Sequence, residues 1–146
     1  MIFVFDIDGV LADNRHRLHH IRNGKRDYDA FYATVGLDTP IHPIVRVATA
    51  LLNSGAATVE LWTGRRESSR AETETWLQRC GVFGYNKLRM RADKDYRKAV
   101  VVKKEWLDQC YPCEKPVLVF EDHPDNVKMY RDSGVICCQT FDGELA

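Results

Sequence analysis

The opening stretch Ile2-Phe3-Val4-Phe5-Asp6-Ile7-Asp8-Gly9 constrains this chain more than any other. Four β-prone apolar residues in a row read as a strand buried on both faces, the pattern of a central parallel strand. Two carboxylates follow it directly. Asp6 and Asp8 are two apart, so on a continued strand they lean to the same side. Like charges that close repel, and a divalent cation or a shared proton relieves them. Gly9 permits the sharp turn that takes the chain off the sheet edge. A lone Asp-Gly would read as a capped turn. The D-x-D-G doublet at the end of a buried strand points instead to a catalytic metal site.

Strands and helices alternate along the rest of the sequence. Further strands are expected at Ala57–Trp62, Lys87–Met90, Val117–Phe120 and Val135–Gln139. Thr63-Gly64-Arg65-Arg66-Glu67 is expected as a turn. Helices are expected at Asp27–Val35, Ile44–Leu52, Ser68–Cys80, Ala99–Cys110 and Asp125–Ser133, several ended by a glycine. The basic segment Asn14–Asp27, with Leu18 and Ile21 as a weak apolar stripe, is expected as a short surface helix. This alternation predicts an α/β fold with a doubly wound, parallel five-stranded sheet. At 146 residues, 45% hydrophobic and 29% charged, residues 1–146 suit one domain with an adequate core.

Lys plus Arg and Asp plus Glu are 21 each, so net charge gives no argument for nucleic-acid binding, and only local patches do. No apolar run is long enough for a membrane span, so no membrane partner is expected. The chain starts in its first strand with no secretory leader ahead, and a cytoplasmic location is the expectation. Five cysteines without such a leader are expected as free thiols. Cys110 and Cys113 have C-x-x-C spacing, but no second pair completes a zinc set, so the spacing is read as incidental. Cys137 and Cys138 are expected as buried apolar filler. Trp62, Trp76 and Trp106 are expected in the core rather than as base-stacking platforms, and His123 as a helix-start cap. No G-x-x-x-x-G-K-[ST] phosphate loop occurs.

In doubly wound sheets ligands bind outside the carboxyl ends of the strands. The polar clusters fall there: Asp6 and Asp8, then Thr63, then Glu121 and Asp122. Asp6, Asp8 and Asp122 offer hard oxygen ligands of the kind Mg²⁺ takes. Thr63 offers a hydroxyl, the turn at Gly64 exposed N–H groups, and Lys103 a point charge. Together they make a phosphate cradle in which a carboxylate can act as nucleophile.

This ordered set resembles the haloacid dehalogenase (HAD) superfamily of phosphohydrolases. Trp62-Thr63-Gly64-Arg65-Arg66-Glu67, the run Tyr96-Arg97-Lys98 with Val101-Val102-Lys103, and Glu121-Asp122 with Gly134-Val135 resemble the 3′-phosphatase domain of bacteriophage polynucleotide kinase-phosphatases. Tyr28 to Val45, with Asp38 and Pro43, is similar to that domain's first linker. The resemblance implies a Rossmannoid, HAD-like sheet with a minimal cap, residues 10–44 being a short cap-like insert. It implies Asp6 as nucleophile and Asp8 as general acid, then base. Thr63 and Lys103 would hold the phosphoryl group. Read from the residues themselves, one of Arg65 and Arg66 is expected on a substrate phosphate, with Arg97 and Lys98 at the same rim. Asp6, the Asp8 carbonyl and Asp122 would bind Mg²⁺, with Glu121 beside the metal through water. Val10 and Glu121 depart from the residues commonest there. The implied activity is a Mg²⁺-dependent phosphomonoesterase of nucleic-acid ends, removing a 3′-phosphate. The open alternatives are a phosphatase of free nucleotides or other metabolites, and a silent binding module. Arg15, Arg17, Arg22, Lys25, Arg26, Arg65, Arg97 and Lys98 are the basic residues expected to meet neighbouring phosphates.

Overall fold

The computed structural model describes residues 1–142. In chain order the strands are β1 (Ile2–Phe5), β2 (Ala12–Asp13), β3 (Thr39–Pro40), β4 (Thr58–Arg66), β5 (Lys87–Arg91), β6 (Leu118–Glu121) and β7 (Ile136–Gln139). The helices are α1 (Tyr28–Ala33), α2 (His42–Ser54), α3 (Arg70–Arg79), α4 (Ala99–Asp108) and α5 (Pro124–Asp132). Five strands form one sheet in the order β5-β4-β1-β6-β7, every neighbouring pair parallel. The chain runs from β1 outward to β5, then crosses back to β6. The order therefore reverses beside β1, the place where such sheets open a crevice for ligands.

The two-residue period of β1 divides the core. Phe5 packs with Val59 and Leu61 of β4, Val45 and Ala48 of α2, and Trp76 and Leu77 of α3. Val4 packs on the other face with Trp62, Leu107 of α4, and Val127 and Tyr130 of α5. Phe5 also stacks on Phe120 of β6 at 4.4 Å between ring centroids. Asp6 follows on the Val4 side of the alternation, where α4 can reach it. β2 and β3 form a separate antiparallel two-stranded ladder that closes the base of the segment between β1 and α2.

Several local expectations change. β4 runs four residues beyond Trp62, so Thr63-Gly64-Arg65-Arg66 is extended strand rather than a turn. Its far end is held by pairing of Arg66 with Arg91 of β5, after a register shift beyond Trp62. The Asn14–Asp27 segment holds a 3₁₀ helix at Arg15–His20, and Arg17 and Leu18 are buried rather than on the surface. Cys137 is buried, but Cys138 is exposed, because alternate residues of β7 face opposite ways. Trp62 and Trp76 are buried, and Trp106 sits edge-on to Trp62. Among the described residues all five cysteines are free thiols, and no helix is long and apolar enough to cross a membrane.

Gly9 is required twice over. Its φ is +77°, a left-handed conformation that favours glycine. A Cβ there would lie 2.0 Å from Asp122 Oδ2. The turn thus brings the backbone after β1 against the carboxylate after β6. Gly9→Ala is expected to cost about 2–5 kcal/mol in urea-denaturation stability, from left-handed strain plus overpacking. An unchanged midpoint would mean that the turn and Asp122 are not in contact.

Candidate active site

The centre of the site is Lys103 on α4, 2% exposed. Its Nζ lies 2.8 Å from Asp6 Oδ2 and 2.7 Å from Glu121 Oε2. Burial disfavours the ammonium charge, but Asp6 and Glu121 outweigh it and hold the lysine pKa above its ordinary value. The other Asp6 oxygen accepts the Ile7 N–H at 2.7 Å. Burial, with Glu121 alongside, pushes the Asp6 carboxyl well up, and Lys103 pulls the other way. Glu121 is also fully engaged: Oε1 accepts the N–H groups of Asp122 and His123 at 3.2 Å each. Burial raises its pKa, yet Lys103 brings it below the ordinary value. For Asp122, burial and the neighbouring Glu121 raise the pKa to about 7.

Asp8 has a different environment. Its Oδ1 accepts from Arg17 at 2.6 Å, and from Arg65 Nε and NH2 at 3.1 and 2.7 Å. Both guanidinium groups are fully buried, and both also bond Asp38, at 2.7–2.8 Å. Asp38 is itself buried at the end of the inserted segment and accepts from His16 at 2.8 Å. Burial works against the Asp8 carboxylate, but Arg65 and Arg17 outweigh it and keep the pKa below the ordinary range. So of two carboxylates on one strand end, Asp6 is biased toward its proton and Asp8 toward ionisation.

Asp6, Asp8, Lys103, Asp122 and Gly64 line one open cavity of about 210 Å³. Thr63 is fully buried and is not part of its lining; its Oγ1 accepts the Arg65 N–H at 3.2 Å. Gly64 presents a carbonyl rather than a nest of N–H groups: its oxygen accepts from Tyr32 at 3.2 Å and Arg91 Nε at 3.1 Å. Arg65 is turned inward to Asp8 and Asp38, away from any phosphate rim, and Arg17 likewise. Arg97 lies outside the cavity, paired with Asp95 at 2.6 Å and Glu105 at 2.7 Å. His123 is the N-cap of α5, as its position suggested. Sequence reasoning assigned no site role to Asp38, Tyr32, Arg91, Asn14 or Asn126. An arginine eleven residues past Asp6 and a lone Asp before a short strand are signals only once the fold pairs them.

The carboxylates of Asp6, Glu121 and Asp122 each have an oxygen within 4.8 Å of the others. One lysine faces three acidic groups, and a divalent cation would offset the excess. Asn14 Oδ1 and Asn126 Oδ1 line the same cavity, buried and without a hydrogen-bond partner. Hard carboxylate and amide oxygens suit Mg²⁺ with its retained waters. The Asp8 carboxylate stands outside this group, committed to its arginines.

Two outcomes follow from this charge arrangement. Because the folded pKa of Asp122 is raised from about 4, its contribution to stability is complete below pH 4 and is lost as pH rises through about 7. With chelator at pH 8, Asp122→Asn should therefore melt several degrees above the parent, an advantage that vanishes near pH 4. Mg²⁺ should raise the melting temperature of the parent and leave the variant nearly unmoved. Arg65→Ala should lose about 3–5 kcal/mol in chemical denaturation, because Asp38 stays buried with half its charge compensation gone. Arg65→Lys should recover only part, since an ammonium cannot fork between two carboxylates.

The sequence matches the model of the polynucleotide kinase PNKP phosphatase domain over residues 1–145. No curated protein sequence matches significantly. Among solved structures, the fold is similar to a chain in the structure of the Pnkp1/Rnl/Hen1 RNA repair complex. That match has TM-score 0.78 and 26% identity over 98% of this chain and 43% of that one. The present chain thus spans less than half the length of that relative. A haloacid dehalogenase-like hydrolase from Streptococcus pneumoniae matches with TM-score 0.64 and 12% identity, over 94% of this chain and 83% of that one. The class C acid phosphatase from Bacillus anthracis matches with TM-score 0.61 and 16% identity, over 97% and 68% respectively. These two share the fold. With a family match over nearly its whole length, the chain belongs to the PNKP phosphatase domains, phosphatases built on the haloacid dehalogenase fold.

Proposed function

We propose that the domain is a Mg²⁺-dependent phosphomonoesterase that removes a 3′-phosphate from a nucleic-acid end through an aspartyl-phosphate intermediate. The observation that carries the reading is the split of two neighbouring carboxylates: Asp6 on a lysine, Asp8 on two arginines, both lining one open cavity. These tendencies belong to the free protein: a cation held by Asp6 and Asp122 would favour the Asp6 carboxylate, the form a nucleophile needs, as an arriving phosphate would favour the protonated form of Asp8.

In the first step an Asp6 oxygen attacks phosphorus. The bond from phosphorus to the sugar oxygen breaks, and Asp8 gives its proton to that oxygen. The negative phosphate arriving beside Asp8 raises its pKa, so the proton is acquired with the substrate. In the second step the Asp8 carboxylate takes a proton from water, whose oxygen attacks phosphorus. The bond from phosphorus to Asp6 breaks, phosphate leaves, and Asp8 is again protonated. Lys103 neutralises charge on Asp6 and on the phosphoryl oxygens throughout. Thr63, through its bond to the Arg65 N–H, sets the strand end on which Arg65 stands. Asp6, Asp122 and the Asp8 main-chain carbonyl would hold Mg²⁺, and Glu121, its oxygens already engaged, would orient Lys103 and the Asp122 backbone. Bound there, Mg²⁺ draws charge from Asp6 and the phosphate so that two anions can meet. Monoester hydrolysis is among the slowest uncatalysed reactions, so charge handling has a large barrier to remove.

The nucleic-acid substrate rests on the family and on the cap. The similar chain comes from a structure described as an RNA repair complex. The inserted segment is short, closed at its base by β2 and β3, and leaves the cavity open at the rim. The basic rim is thinner than the sequence suggested, since Arg17 and Arg65 are buried and Arg15 and Arg97 are paired with Asp13 and Asp95.

The test is phosphate release from a 3′-phosphorylated oligonucleotide, a 3′-mononucleotide and a 5′-mononucleotide at two salt concentrations. The oligonucleotide should have the highest kcat/KM and lose most of that advantage in high salt. Asp6→Asn should keep the fold and lower kcat by more than about a thousandfold. Excess chelator should silence the parent and Mg²⁺ restore it. A 5′-mononucleotide that wins without salt dependence would replace this reading with a free-nucleotide phosphatase.

A further inference from the structure

Tyr32 lines the cavity over Asp6 and Asp8, and it also lines a second, adjoining cavity of about 200 Å³ with Arg66, Ser68 and Ser69. Its position is fixed by the bond from its hydroxyl to the Gly64 carbonyl at the active-site end of β4. Arg66 stands two residues further along that strand. Its guanidinium carbon lies 5.3 Å from the Tyr32 ring centroid and 5.5 Å from that of Tyr28. Tyr28 and Tyr32 are four residues apart, on one face of α1. The fork of Arg66 is therefore pinned by two rings, and its side chain is only 18% exposed.

What Arg66 holds is less secure. NH1 bonds Asp29 Oδ1 at 2.9 Å, but the Asp29 side chain is 96% exposed. A carboxylate so fully in water gains little from its partner and can be exchanged for another anion. A ring-stacked guanidinium fork is matched to a phosphate, whose oxygens accept two parallel N–H bonds. Ser68, Ser69 and Glu72 line the same cavity, and the Ser69 hydroxyl donates to the Arg66 carbonyl at 2.8 Å, which steadies the strand end that carries the arginine. A strand whose terminal phosphate sits over Asp6 sends its next phosphate out across the rim, and Tyr32, which lines both cavities, stands on one such way out.

Resting on the reading that this domain acts on 3′-phosphorylated strands, we propose that Arg66, stacked on Tyr28 and Tyr32, is the subsite for the first internucleotide phosphodiester. Asp29 occupies that place in the free protein and swings into water when substrate arrives. Arg66 then determines length preference. It does not touch the reacting phosphate, so its effect falls on KM.

The experiment compares a nucleoside 3′-monophosphate, which has no phosphodiester, with a 3′-phosphorylated dinucleotide, which has one. Both are assayed with the parent, Arg66→Gln and Asp29→Asn at low and moderate salt, and folding is checked by melting temperature. The parent should favour the dinucleotide by about tenfold in kcat/KM, through KM, as a charge-assisted contact at a partly wet site would give. Arg66→Gln should erase that ratio with kcat on both substrates kept. Asp29→Asn should lower the dinucleotide KM a few-fold, most at low salt. A dinucleotide advantage that survives Arg66→Gln, or an equal loss on both substrates, overturns the subsite. So does a parent that accepts both 3′-phosphates equally, and in that case the 3′-phosphatase reading still stands. An Asp29→Asn KM that is unchanged or higher overturns the part played by Asp29. A parent that ignores 3′-phosphates and hydrolyses a 5′-phosphate overturns both readings together.

Discussion

Two arginines and two aspartates, locked together away from solvent, join the parts of this domain. Arg17 comes from the inserted segment, Arg65 from β4, Asp8 from the end of β1, and Asp38 from the end of the insert. None of these charges tolerates burial alone, and removing one partner strands another. The quartet therefore fixes the insert to the sheet, and it fixes Asp8 by bonds to a single oxygen. The positions of the neighbouring groups follow from that. With Asp8 anchored, the Gly9 turn brings the backbone against Asp122, and Asp6 meets Lys103.

The second charge cluster works by contrast. Lys103, Asp6, Glu121 and Asp122 carry more acid than base, whereas the Asp8 cluster is balanced, two against two. The balanced group supports rigidity. The unbalanced one keeps an electrostatic debt that a cation or a proton relieves, and its Asp122 pKa of about 7 expresses that debt. A domain of this size can hold both because Asp6 and Asp8, side by side after β1, take different partners: Lys103 of α4 for the first, and Arg17 of the insert with Arg65 of β4 for the second.

Much of this was legible in the sequence. An apolar strand ending in D-x-D-G, strand–helix alternation, and acidic or hydroxyl residues after successive strands gave the parallel sheet and its ligand edge. Asp6, Lys103 and Asp122 carry local signals, being a strand end, a helix and a strand end. The rest was not legible because it depends on pairings distant in sequence. Arg17 looks like one more base in a basic run, and only the burial of the 3₁₀ helix against Phe31 and Asp38 separates it from Arg15 and Arg22. Thr63-Gly64-Arg65-Arg66 has turn composition, yet pairing of Arg66 with Arg91 and the two donors on the Gly64 carbonyl keep it extended. Arg97 stands beside motif residues but finds Asp95 and Glu105 first.

The two-residue ladder of β2 and β3 has a consequence for how such a domain can vary. It sets the two ends of the insert side by side, so the chain between them is a closed loop hung from a fixed base. Closing a longer loop on the same base is thermodynamically cheap, about 0.6 kcal/mol for each doubling of length. The insert can then lengthen or shorten without disturbing the sheet, provided Arg17 and Asp38 keep their places near its two ends. Access to the cavity is in this sense modular: reach over the rim can change while the carboxylates beneath stay as they are.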